Sequence, residues 1–93
     1  MQKILIIEDE DGLVLSLEDR LRAEGYRVGS RRDGKSGEKE AASGRYDLII
    51  LDIMLPERDG FQVCRNLRDS GVSTPILMLT ARSTTLDLSL IHI

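Results

Sequence analysis

Tyr46-Asp47-Leu48-Ile49-Ile50-Leu51-Asp52-Ile53-Met54-Leu55-Pro56 runs four aliphatic residues without a polar break and then meets a carboxylate. A short continuous apolar run of this kind suits a strand buried on both faces of a parallel sheet. Two more continuous runs lie on either side of it, Ile4–Ile7 and Ile76–Leu79, and a weaker, partly alternating one at Tyr26–Gly29 reads as an edge strand. Helical stretches separate them. Leu13, Val14, Leu17 and Leu21 form one stripe of a helix over residues 12–24, with Gly25 as its stop. A more polar helix covers residues 36–42 and closes at Gly44. Phe61, Cys64 and Leu67, with Val63 alongside, form the buried stripe of a third helix that ends at Ser70-Gly71. Strands beginning near residues 3, 26, 47 and 74 give the order βαβαβαβ. That alternation predicts an α/β fold, a doubly wound parallel sheet with right-handed crossovers.

A chain of 93 residues accommodates one domain at most. At 41% hydrophobic and 31% charged it has the composition of an ordinary soluble domain. Tyr26, Tyr46 and Phe61 are its only aromatics, so the core is aliphatic. The net charge of −3, with acid concentrated at residues 8–11, argues against nucleic-acid binding by this segment. Cys64 is the sole cysteine, which excludes an internal disulfide and fits a reducing compartment; on its helix stripe it reads as core packing. The apolar run at the N-terminus is too short for a signal peptide, and no segment reaches membrane-spanning length. The expected location is cytoplasmic.

The acids fall at particular places on this scaffold. Glu8 and Asp9 follow the first strand, Asp52 follows the third, and Thr80 follows the fourth. The carboxyl ends of parallel strands share one rim, where ligands bind, so three carboxylates distant in sequence meet there. Such a cluster is costly unless a cation sits in it. Mg²⁺ fits, since it takes one or two carboxylates, keeps several waters and also binds phosphate oxygens. With it, Asp52 could attack phosphorus as a covalent nucleophile and form an acyl phosphate. Each residue has a plainer reading too: Glu8 and Asp9 could serve a helix dipole, Glu10 and Asp11 a cap, and Asp52 a turn. The conjunction of all of them at strand ends is what favours the chemical reading.

Four segments carry a family resemblance: Ile4-Leu5-Ile6-Ile7-Glu8-Asp9-Glu10, the Tyr46–Pro56 stretch, Asp59-Gly60-Phe61, and Thr74-Pro75-Ile76-Leu77-Met78-Leu79-Thr80-Ala81. In order and spacing they resemble the receiver domain of bacterial two-component response regulators over residues 1–87. The resemblance implies a flavodoxin-like receiver fold. It implies that Asp52 is the phosphoacceptor and a metal ligand, that Asp9 binds Mg²⁺ directly and that Glu8 acts mainly through water. The backbone carbonyl of Met54 would complete the coordination, and Thr80 would be the switch hydroxyl, with small Ala81 leaving it access. Pro56 and Gly60 would shape the loop after the acceptor. A sensor histidine kinase would donate the phosphoryl group. The chain's own catalysis would be limited to self-phosphotransfer and autodephosphorylation. The wording most resembles receivers joined to a winged-helix DNA-binding output domain, with dimerisation possible in the complete protein.

Receivers of this kind continue into a fourth helix, a fifth strand with an aromatic switch residue, a Lys-Pro pair and a fifth helix. The expectation is therefore an incomplete receiver domain over residues 1–87, lacking the last strand and helix, with the fourth strand at an apolar edge. Thr84-Thr85-Leu86-Asp87 reads as a helix start. Leu88-Ser89-Leu90-Ile91-His92-Ile93 resembles translated sequencing-adapter sequence, a non-native tail in which His92 is accidental. Three other readings compete. An aspartate-nucleophile phosphatase of the haloacid-dehalogenase type needs a second Asp where Met54 stands. A dinucleotide-binding domain needs glycines where residues 8–11 are acidic. A pseudo-receiver that acts only as an interaction module remains the alternative for the chain as it stands.

Overall fold

The computed structural model describes residues 2–79. Thr80, Ala81, the helix start at residues 84–87 and residues 88–93 lie outside the described residues. The elements follow in the order β1 (Lys3–Ile7), α1 (Asp11–Ala23), β2 (Arg27–Arg31), α2 (Gly34–Ala41), β3 (Leu48–Asp52), α3 (Gly60–Asp69) and β4 (Ile76–Leu79). All strand pairs are parallel and the sheet order is β2-β1-β3-β4.

The period-two alternation of strand side chains divides the core into two layers. Ile4, Ile6, Leu48 and Ile50 face α1 and meet Val14, Leu17 and Leu21. Leu5, Ile7, Ile49 and Leu51 face the other way, toward Ala41 of α2 and Val63 and Leu67 of α3. Both faces of the central strands are therefore covered, which is why their sequences run without a polar break. The fold is the doubly wound sheet expected of the sequence. The chain leaves β1 for β2 on one side and returns to β3 on the other, so the direction of winding reverses between β1 and β3.

Several local expectations are corrected. Phe61 is not part of the buried stripe; it is 61% exposed. Helix α3 starts at Gly60, and its inward face is Gly60, Val63 and Leu67, which turns Phe61 about 100° away. Cys64 is half-buried against the same layer. At α1 the cap is Glu10, whose carboxylate accepts from the Gly12 and Leu13 amides; Asp11 is the first helical residue and pairs with Arg32 at 2.7 Å. Helix α2 begins two residues earlier than residue 36, capped by Asp33. Gly34 hides this start because glycine is a poor helix former. Gly37 is nonetheless required there, since a Cβ would stand 2.5 Å from an Ile7 methyl. β2 lies at the sheet edge as expected, though over Arg27–Arg31 rather than residues 26–29. β4 lies at the other edge of the described sheet, so Ile76, Leu77 and Met78 are only half-buried, unlike β1 and β3.

Candidate functional site

The register between β1 and β3 pairs Ile7 with Leu51, which brings the next residues, Glu8 and Asp52, level at the carboxyl rim. Backbone bonds fix both ends. The Glu8 amide donates to the Arg31 carbonyl at 3.0 Å, and the Ile53 amide donates to the Leu79 carbonyl at 3.1 Å. One oxygen each from Glu8, Asp9 and Asp52 lies within 4.8 Å of the others. Glu8 and Asp52 are buried, at 6% and 8% exposure, while Asp9 opens to solvent. This crevice is the place where winding reverses, the usual ligand site of such sheets.

The electrostatics are unfavourable as they stand. At an effective dielectric of about 20, two carboxylates under 5 Å apart repel by on the order of 3–4 kcal/mol. Among the described residues no ion pair includes Glu8, Asp9 or Asp52. Glu8 carries the consequence: its pKa is pushed up to about 8, first by burial, then by its hydrogen bond to Asp52 and by the Asp52 charge. The Asp9 amide, donating to the Glu8 carboxylate at 3.0 Å, offsets only part of this. Three convergent carboxylate oxygens, two of them from rigid strand ends, suit a hard divalent cation such as Mg²⁺.

A pH dependence follows. Folded Glu8 holds its proton up to about pH 8, whereas the ordinary carboxyl value is 4.5. Without metal, this group's contribution to stability is complete below pH 4.5 and is lost as pH rises through about 8. Cation binding needs the ionised cluster and expels that proton, so Mg²⁺ affinity should rise by up to about tenfold per pH unit below pH 8 and level off above it. Calorimetric Mg²⁺ titrations between pH 6.5 and 9 measure this directly. A flat profile would mean that Glu8 is already ionised.

Beyond Asp52 the chain makes a loop back to α3. The Met54 amide reaches Asp52 Oδ1 only at a long 3.4 Å, and its side chain is 67% exposed. Met54, Leu55, Pro56 and Phe61 join Asp9 around an open cleft of about 510 Å³ beside the carboxylates. The Gly60 amide donates to the Ile53 carbonyl at 2.7 Å, and Asp59 caps α3 by accepting from the Gln62 amide. The structure thus gathers Glu8, Asp9 and Asp52 and places Met54 next to them, while Thr80 lies outside the described residues. The sequence reading missed the tie between this loop and α2: the Gly34 amide donates to the Pro56 carbonyl, and Glu38 pairs with Arg58. Two glycines inside a polar helix were the available signal for such close packing.

Residues 4–89 match the family model for the response regulator receiver domain. The response regulator ArlR of Staphylococcus saprophyticus is 47% identical over 87 residues, which cover 94% of this chain and 39% of that protein. The chain therefore spans about two-fifths of the length of such curated relatives. Among solved structures, the response regulator TrrA from Thermotoga maritima in complex with Mg²⁺-BeF superposes with a TM-score of 0.82 at 36% identity. That match covers 89% of this chain and 72% of TrrA. A complex of the histidine kinase ThkA with TrrA matches with a TM-score of 0.81 at 36% identity, over 96% of this chain and 78% of the other. The chain belongs to the response regulator receiver domain family.

Proposed function

We propose that this receiver accepts a phosphoryl group on Asp52. The observation that carries the reading is the set of three carboxylate oxygens within 4.8 Å at the carboxyl ends of β1 and β3, with no basic partner among the described residues. A carboxylate oxygen of Asp52 attacks phosphorus. The new O–P bond forms as the donor's bond to phosphorus breaks, and the donor's leaving group departs with that electron pair. The leaving group is imidazole from a phosphohistidine or acetate from acetyl phosphate. Burial of Asp52 at the end of a fully packed strand limits its direction of approach, and the open cleft lined by Asp9, Ile53 and Met54 would admit the donor. Asp9, Asp52 and the Met54 carbonyl would hold Mg²⁺, with Glu8 acting through water. When bound, the cation neutralises the carboxylates and the phosphoryl oxygens. Thr80 would follow the phosphoryl group as the switch hydroxyl.

The complexes of TrrA with Mg²⁺-BeF and with the kinase ThkA support the cation and the class of donor. A sensor histidine kinase is therefore the proposed partner. The signal would pass to a DNA-binding output domain in a longer protein, whose complete receiver could dimerise, in the cytoplasm. No helix among the described residues is long and apolar enough to cross a membrane. Residues 1–87 would be the receiver proper and residues 88–93 a non-native tail. The test is incubation with acetyl phosphate. Phosphoryl uptake that is labile to hydroxylamine and abolished by a Mg²⁺ chelator is expected. Folded protein that takes up no phosphoryl group in the presence of Mg²⁺ would establish the pseudo-receiver reading instead.

A further inference from the structure

Glu38 of α2 stands where three elements meet. Its Oε2 accepts from Arg58 Nη1 at 2.7 Å, and its Oε1 accepts from Asn66 Nδ2 at 2.8 Å. Arg58 belongs to the loop after Asp52, and Asn66 to α3. The ion pair is sheltered, with side chains 30% and 21% exposed. In each of the other four ion pairs among the described residues, at least one partner is more than 40% exposed. Shelter from solvent makes this pair the least screened of the set.

What the pair holds is a turn that needs holding. The Arg58 amide donates to the Pro56 carbonyl at 2.8 Å, closing a three-residue turn with Glu57 at φ 68°. A side chain in that left-handed region costs on the order of 1 kcal/mol and persists only where the surroundings impose it. Close packing of α2 holds it here. The Gly34 amide donates to the same Pro56 carbonyl at 3.1 Å, and a Cβ at Gly34 would stand 2.0 Å from the Arg58 carbonyl oxygen. Glu38 grips the Arg58 side chain from the same helix. At the other end of the loop, Ile53 is fixed by the Leu79 carbonyl and the Gly60 amide. Between these anchors, among the described residues, Met54 has only its long bond to Asp52.

We propose that Glu38 is a positioning residue for the metal site: by clamping Arg58 and Asn66 it fixes the turn at Glu57, and through it the place of the Met54 carbonyl. The inference rests on the reading that Met54 and the carboxylates bind Mg²⁺. It makes α2, which contributes no ligand, a determinant of cation affinity.

The test uses the full chain with Glu38→Ala, Arg58→Ala, their combination, and the exchanged pair Glu38→Arg with Arg58→Glu. Glu18→Ala, which removes an ion pair on α1 across the sheet, is the control. Three quantities are measured: the Mg²⁺ dissociation constant by calorimetry, the melting temperature in chelator, and amide exchange at Arg58 without metal. Glu38→Ala and Arg58→Ala should each weaken Mg²⁺ binding by roughly three- to tenfold and speed Arg58 exchange. Their combination should weaken it little further, since both remove one interaction. The exchanged pair should recover part of the loss, and Glu18→Ala should leave Mg²⁺ affinity unchanged. Should Glu38→Ala fail to fold, Arg58→Ala decides, because its side chain comes from a loop. Wild-type Mg²⁺ affinity in both single variants overturns the clamp alone, as does an equal loss in Glu18→Ala. Absence of Mg²⁺ binding by the unaltered chain overturns the metal-site reading and the clamp with it.

Discussion

Asp52→Asn is expected to reduce phosphoryl uptake from acetyl phosphate by more than roughly two orders of magnitude, because an amide offers no nucleophilic carboxylate oxygen. The substitution is nearly isosteric, so the β3 terminus and its bonds to neighbouring strands should persist. A second effect follows from the same change and runs in the opposite direction. After burial, Asp52 is the next cause of the raised Glu8 value, through its hydrogen bond and its charge. Neutral Asn removes that repulsion, so the metal-free variant should melt higher than the unaltered chain at pH 8, while binding Mg²⁺ more weakly. Hydroxylamine-labile phosphate assays, paired with melts in chelator, measure both. Uptake that survives in Asp52→Asn would transfer the acceptor role to Glu8 or Asp9, the other carboxylates of the cluster.

Gly60→Ala is expected to be a strongly disruptive single-methyl change beside the acceptor. A Cβ at this position would lie 2.3 Å from the Asp52 carbonyl oxygen and 2.8 Å from the Ile53 Cα. Both are backbone atoms of the acceptor segment, so relief requires moving β3 or lifting α3. The cost should be about 3 kcal/mol, a fall in melting temperature of about 12–24 °C for a domain of this size. Mg²⁺ affinity should fall as well, because the displaced backbone carries the Asp52 carboxylate. Gly12→Ala provides the contrast. Its Cβ would meet only the flexible tip of Glu10, at 3.0 Å, and alanine favours the helix, so it should change stability by less than about 1 kcal/mol. Equal melting temperatures for the two variants would show that α3 can be shifted off β3 at little cost.

The glycines also show where sequence reading stopped. Gly60 is legible as a turn residue beside Asp59, yet its closeness to Asp52 depends on how α3 docks against β3. Gly34 hides the start of α2, although it and Gly37 each sit where a side chain would collide with Arg58 or Ile7. Phe61 was misplaced for a related reason. Apolar spacing allows more than one helix stripe, and the one used is set by Gly60 and Val63 packing inward. The carboxylate site was far more legible, because Glu8, Asp9 and Asp52 each follow an unbroken aliphatic run, and such runs end together in a parallel sheet.

By itself, then, the sequence determined the order of strands and helices, the double burial of β1 and β3, and the meeting of three carboxylates at one rim. These follow from hydrophobic periodicity and chain connectivity, which are local properties written residue by residue. Tertiary structure alone decided which helix face turns inward, how closely α2 and α3 approach the acceptor strand, and that Glu38 pairs with Arg58 and Asn66. Those outcomes depend on the fit of whole surfaces, where a missing methyl group or a single sheltered charge selects one docking over another. Spacing along the chain does not encode that fit.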